Sequence, residues 1–329
     1  MKGLKKGRAK ARVRTFVAQE MRLRSKSLKD QQVTPLVRSR YIHFVKQMIR
    51  WLMTMGLSPH DRESLDAAVC EYIEACWSEG GALYAARHTV AGLLWVAPFV
   101  RPHLHEAWRL LGIWEKLVPP RRAAPISATM LCGVAGAALS IGLLPVAALL
   151  LAGFEGVLRS AEIFSLTRGD VYFARGRAVL RLRSTKMGVR RGELEMVVLK
   201  SRLAVSAMRA ACARLEPQER ICSFHPAKLR SVFKDLCKVL QLSYLNLTWY
   251  SLRRGGATAH FLGHGNLELT LQYGRWSSNK NTRRYVMQGA AEAVKLSLQP
   301  RQLALLHEAA KPLGVFCRRW GNPFISRCI

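Results

Sequence analysis

The sequence predicts a mainly helical chain of two domains, the second carrying a small β-hairpin or sheet. Three observations lead there. Tyr41, Phe44, Val45, Met48, Ile49 and Leu52 recur at helical spacing, which gives one apolar face. The segment PPRRAAP at 119–125 is stiffened by prolines and crossed by no apolar periodicity, which marks a linker. Residues 178–199 alternate on both sides of a glycine-containing turn, the pattern of a hairpin.

The elements follow in order. The first helix ends at Gly56 with Ser58-Pro59 behind it. RESLDAAVCEYIEACWS at 62–78 reads as a second helix, and Gly80-Gly81 separates it from a third over 83–99. A fourth runs over 103–117, so that residues 35–118 make a four-helix domain. Ahead of it, residues 1–34 form a basic, polar arm, expected to be flexible. The arm lacks the continuous apolar core of a secretory signal. It reads as a DNA-contacting arm, a nuclear localisation signal or a solvated tail.

Residues 126–154 contain no charge, and by length alone could span a membrane. Gly142-Leu143-Leu144-Pro145 breaks the run near its middle, which leaves two segments of ordinary buried-helix length. The expectation is therefore two core helices, 127–140 and 146–154, and no membrane span. LRSAEIFSL then opens a helical turn, the hairpin follows, and helices resume at 201–214, 227–240, 251–263 and 267–274. Residues 287–310 are amphipathic, with a hinge at Gln299-Pro300 that sets off a tail, 299–329.

Charge narrows the function. The chain has 329 residues with 52 Lys+Arg against 21 Asp+Glu, a net charge of +31, which calls for a polyanionic partner. Nucleic acid is the favoured reading, although a membrane surface or a ribosomal neighbourhood would suit the charge alone. None of the eight cysteines has paired C-x-x-C spacing, and Cys222, His225 and Cys237 do not make a convincing zinc set. Reduced thiols of an intracellular protein are the better reading. His103, His105, His260 and His264 show no metal set either.

The chemistry lies in an ordered train: Arg159, Lys186, Arg253, Trp276 and Tyr285. Arginines grip phosphate oxygens bidentately, a lysine can protonate a leaving oxygen, and an indole N–H donates without accepting. A tyrosine hydroxyl can attack phosphorus and form a covalent intermediate. Each residue also has a plainer reading. Arg159 could be a core-edge arginine paired with Glu162, and Lys186 one more surface charge beside Arg181, Arg183, Arg190 and Arg191. Trp276 could be core and Tyr285 a surface aromatic. Arg253 and Arg254 point about 100° apart on a helix, so one can face a site while the other faces DNA backbone or solvent. Gly255-Gly256-Ala257 is poor helix material and makes sense where another element packs very close.

LRSAEI, SLRRGGAT and GRWSSNKNTRRY, taken together, resemble the boxes of the tyrosine recombinase (phage integrase) family, nearest in spacing to Cre-like members. Trp276 precedes Tyr285 by nine residues, Arg253 precedes Trp276 by 23, and Lys186 follows Arg159 by 27. The resemblance covers roughly residues 35–300, most firmly after 150. It implies a helical core-binding domain at 35–118, one half of a clamp around DNA, and a mostly helical catalytic domain at 126–298. It implies site-specific recombination or mobile-element integration through a 3′-phosphotyrosine. Tyr285 would be the nucleophile, with Arg159, Arg253 and Trp276 on the phosphate, Lys186 as general acid and Glu162 in support. No cofactor is implied, neither metal nor ATP. The expected partner is double-stranded DNA, bound by a homotetramer on two duplexes, with the C-terminal tail docking in trans or, in the plainer reading, packing in cis to complete its own domain's core. The protein would reside with DNA inside the cell, in nucleus or nucleoid. One position departs from the family. Where a histidine usually stands three before the second arginine, this chain has Tyr250, which hydrogen-bonds but is no base at neutral pH. A DNA-binding protein impaired in cleavage and a type IB topoisomerase-like enzyme are therefore the alternative readings.

Overall fold

A computed structural model describes residues 32–119, 123–183, 195–283 and 285–320. The chain divides into two compact units, Met1–Arg121 and Arg122–Ile329.

The first unit holds four helices: α1 (Pro35–Thr54), α2 (Arg62–Ser78), α3 (Leu83–Val96) and α4 (His105–Leu117). Local chemistry sets their ends. Thr34 caps α1 and Pro35 fills its first turn, where the missing N–H has no consequence. Asp61 and Ser64 form a reciprocal capping box on α2. Leu104, ahead of α4, has no side chain that could cap. Asp66 of α2 does that work from a distance, its carboxylate accepting from the Glu106 and Ala107 N–H groups at 3.1 Å each. Apolar faces meet in a core of Met48, Val69, Ile73, Val90, Leu104, Leu111 and Trp114.

The second unit is built around two helices from the uncharged stretch, α5 (Ala128–Ser140) and α6 (Leu144–Glu155). They are apolar on every side because they are buried on nearly every side. Gly142 in the left-handed region (φ 77°) makes the turn between them, and Pro145 starts α6. Among the described residues no helix is long and apolar enough to cross a membrane. Helix α7 (Ser160–Ser165) leads to three strands, β1 (Val171–Ala174), β2 (Arg177–Leu182) and β3 (Glu195–Leu199), in an antiparallel sheet of that order. The predicted hairpin is the β2–β3 pair, with Val179 opposite Val198. Strand β1 is an addition to the sequence reading, paired through Val171 opposite Leu180. Helices α8 (Arg202–Cys212), α9 (Pro226–Val239), α10 (Trp249–His264), α11 (Leu267–Gly274), α12 (Asn279–Arg283), α13 (Gln288–Leu296) and α14 (Pro300–Trp320) complete the unit.

Two close approaches fix its geometry. A Cβ on Gly255 would run into the Ile126 carbonyl, and one on Gly256 into the Phe154 carbonyl, so α10 lies with its backbone against the end of α6. Helix α14 packs on α5 of the same chain, where Gly133 and Gly136 admit Leu306 and Ala309. No disulfide is formed among the seven described cysteines. Burial pushes the Cys70 and Cys237 thiols up to about 12 and Cys212 to about 11, and raises Cys76, Cys222 and Cys317 as well. No metal-holding group of His, Cys, Asp and Glu occurs among the described residues.

Gly256→Ala should lower stability by about 1–3 kcal/mol, because the obstructing atom is a backbone carbonyl that cannot step aside. Gly263→Ala in the same helix meets nothing within 4 Å and should be neutral or stabilising by up to about 1 kcal/mol. Urea denaturation of the two variants checks the contrast.

Candidate active site

The site begins at the C-terminus of α6. A helix end leaves carbonyls without intrahelical partners and carries a partial negative charge. Here three successive carbonyls are taken up by side chains from elsewhere. Tyr273 Oη donates to Glu155 O at 2.5 Å. Arg275 Nη1 donates to Gly156 O at 3.3 Å. Val157 O accepts from Arg253 Nη1 and from Arg275 Nη2. Val157 itself sits at φ 47°, a left-handed conformation that a β-branched residue rarely adopts. The two guanidinium groups on its carbonyl hold it there. Its turn delivers Leu158 to the core and Arg159 to the site.

Arg253 is the largest fully buried side chain among the described residues. Its Nη2 donates to Gly274 O at 2.8 Å, the open end of α11. The guanidinium lies 4.9 Å from the Trp276 ring centre and 5.3 Å from that of Tyr285. Burial, reinforced by the charges of Arg159 and Arg275, lowers its pKa to about 10, so that it remains charged at neutral pH.

Glu162 ties the other arginines together. Buried on α7, it accepts from the Arg159 backbone N–H (2.8 Å), from Arg159 Nη1 (2.5 Å) and from Arg275 Nη2 (2.8 Å). Arg275 reaches on to Glu195 at the start of β3, 3.1 Å away. Burial lowers the Arg275 pKa, and the two carboxylates oppose that shift. Sequence reasoning missed Arg275. Its left-handed φ of 56° and its two carboxylate partners come from tertiary context, and only its place beside Trp276 in GRW hinted at it.

The aromatic members stack over Arg253. Trp276 and Tyr285 have ring centres 4.5 Å apart and planes 28° apart. Gly274 makes room, since any Cβ there would strike the Trp276 ring. Thr258 docks the Tyr285 segment onto α10, its hydroxyl donating to Tyr285 O at 3.3 Å and accepting from Met287 N at 3.1 Å. Tyr250, on the first turn of α10, donates its hydroxyl to the Tyr285 hydroxyl. Burial first, and then Tyr285, push Tyr250 up to about 12. Burial would raise Tyr285 too, but the Tyr250 hydroxyl, Arg253 and Arg159 outweigh it and bring Tyr285 below the usual phenol value.

Of the sequence candidates, Arg159, Glu162, Tyr250, Arg253, Trp276 and Tyr285 thus share one site. Lys186 lies outside the described residues. Arg254 departs from the reading that gave it solvent or DNA backbone: it is buried, donating to Ala123 O at 2.9 Å and to Met287 Sδ. His260 stacks between His264 and Tyr273, 4.2 Å from each, a packing role.

Solved structures share this arrangement of elements. A XerH site-specific recombinase bound to its difH substrate superposes with a TM-score of 0.51 at 14% identity, over 70% of this chain and 70% of that one. A lambda integrase dimer bound to a COC′ core site gives 0.53 at 13%, over 80% and 74%. The fold is that of the tyrosine recombinases. No family model and no curated protein matches the sequence.

Glu162→Ala would leave the buried Arg275 without its best acceptor and free Arg159. It should destabilise the second unit by about 3 kcal/mol, as losing one partner of a buried ion pair does. Thermal denaturation checks this, with Glu162→Gln expected to fall between wild type and Ala.

Proposed function

We propose that the chain is a tyrosine recombinase that cleaves and rejoins double-stranded DNA through a 3′-phosphotyrosine. The observation that carries the reading is the meeting of three distant sequence boxes at one point: Arg159 with Glu162, Arg253, and the Trp276–Tyr285 stack. Two buried donors there, Arg253 Nε and Trp276 Nε1, have no hydrogen-bond partner among the described residues, and a phosphate oxygen would suit both. DNA-bound structures among the solved proteins of the same fold support the choice of substrate.

In the proposed reaction Tyr285 Oη attacks the scissile phosphorus. Arg159, Arg253 and Trp276 stabilise the charge of the pentacoordinate phosphorane, and Lys186 protonates the departing 5′-oxygen. The phosphotyrosine conserves the bond energy, so that rejoining is the reverse step and neither metal nor ATP takes part. The assembly we propose is four protomers on two duplexes, in which α14 would exchange its seat on α5 for one on a neighbour. The basic arm and the overall charge serve the DNA backbone. The work implied is recombination or integration of a mobile element, with DNA inside the cell.

A nicked suicide duplex traps the intermediate and tests the reading. Wild type should form a covalent DNA adduct mapped to Tyr285, and Tyr285→Phe should form none while binding DNA nearly as well. An adduct that persists in the Phe variant contradicts the assignment. DNA affinity should also fall steeply with salt through counterion release, with a log–log slope equivalent to at least about four phosphate contacts. A shallower slope argues against a protein that embraces the duplex.

A further inference from the structure

We propose that Tyr250 is the hydrogen-bond donor that holds Tyr285 as a phenolate, so that this chain prepares its nucleophile with a second tyrosine. The inference rests on the function proposed above and specifies how the attacking oxygen is made.

The geometry is a hydroxyl pair in a cationic surround. Tyr250 and Tyr285 meet through their hydroxyls, with Tyr250 donating, and their ring centres are 5.7 Å apart. The charges that face the pair are cationic. Arg253 lies 5.3 Å from the Tyr285 ring centre, and Arg159 adds its charge to Tyr285 from the α7 side. Arg254 lies 5.7 Å from the Tyr250 ring centre. Glu162, the carboxylate of this site, is engaged by Arg159 and Arg275, and among the described residues no carboxylate bonds to either hydroxyl.

Two phenols that share one hydrogen bond among cations do not ionise together. Losing the first proton is favoured by the arginines, and losing the second would place two negative charges side by side. The charge settles on the ring nearer Arg253 and Arg159, which is Tyr285, and Tyr250 keeps its proton to donate. The opposite displacements of the two phenols, Tyr285 down and Tyr250 up, agree with that division. Tyr285 has by then given its proton to water, and in the step itself its oxygen bonds to phosphorus. The P–O5′ bond breaks, and the 5′-oxygen takes a proton from the general acid. Tyr250 gains and loses nothing. A tyrosine, which cannot act as a base at neutral pH, suits a role that asks only for donation.

Single-turnover cleavage of a nicked duplex across the pH range, with wild type, Tyr250→Phe and Tyr250→His, tests the proposal. Tyr250→Phe should bind the duplex as wild type does and cleave about 10- to 100-fold more slowly at neutral pH, the worth of a hydrogen bond to a charged group. The deficit should shrink as pH rises, because alkali makes the phenolate without help. Tyr250→His, which restores a donor, should recover part of the rate. A deficit of equal size at every pH, an unchanged rate, or an adduct on Tyr250 in wild type would overturn the proposal. Absence of any adduct in wild type defeats the recombinase reading instead. The pair is then read from alkaline tyrosinate absorbance, as the difference between wild type and Tyr285→Phe and again as the difference between Tyr250→Phe and the double variant. If Tyr285 ionises at the same pH with and without the Tyr250 hydroxyl, the pairing has no such role.

Discussion

A guanidinium cannot be taken out of water without acceptors, and the second unit is arranged around that constraint. Arg253 is fully buried, and its two terminal nitrogens are met by the carbonyls that end α6 and α11. Those carbonyls are available because helix ends leave them so. To reach them, α10 must lie against the end of α6, and that is why Gly255 and Gly256 stand where a methyl group would collide with backbone. The same turn of chain that offers Val157 O to Arg253 directs Arg159 toward the same site. One electrostatic requirement therefore sets helix packing, a strained backbone residue and the placement of a second cation.

Arg275 extends this logic sideways. By joining Glu162 to Glu195 it links the carboxylate that orients Arg159 to the first residue of β3. The sheet and the helix ends are thereby coupled through one buried side chain. Trp276 follows it directly in the chain and lies over Gly274, so backbone, charge and stack are fixed within three residues.

Much of the fold was legible because its signals are local. Helical spacing, the Gly142–Pro145 break and the alternation of 178–199 all act within a few residues. Strand β1 escaped because its four residues, VYFA, are defined by what they pair with rather than by their own pattern. The reach of α14 to Trp320 escaped too, since Pro312 would ordinarily end a helix. At the site, the spacing of the boxes named Arg159, Arg253, Trp276 and Tyr285. It could not reveal that Arg254 turns inward or that Arg275 adopts a left-handed backbone. Nor could it reveal that the Tyr250 and Tyr285 hydroxyls touch across 35 positions of sequence. Those facts depend on which surfaces remain once the helices have packed.

The suppressed ionisation of the thiols gives the molecule a second property. Alkylating reagents attack thiolates, and Cys70, Cys76, Cys212, Cys222, Cys237 and Cys317 are all held in the protonated form by their surroundings. The four buried ones, Cys212, Cys222, Cys237 and Cys317, become reactive only when the structure around them opens, whereas Cys70 and Cys76 are partly exposed. Two sit in the first unit and four in the second, at α8, the loop before α9, α9 and α14. The four buried cysteines thus form a distributed set of breathing sensors in the second unit, in which the labelling rate of each reports how often that part of the fold comes apart.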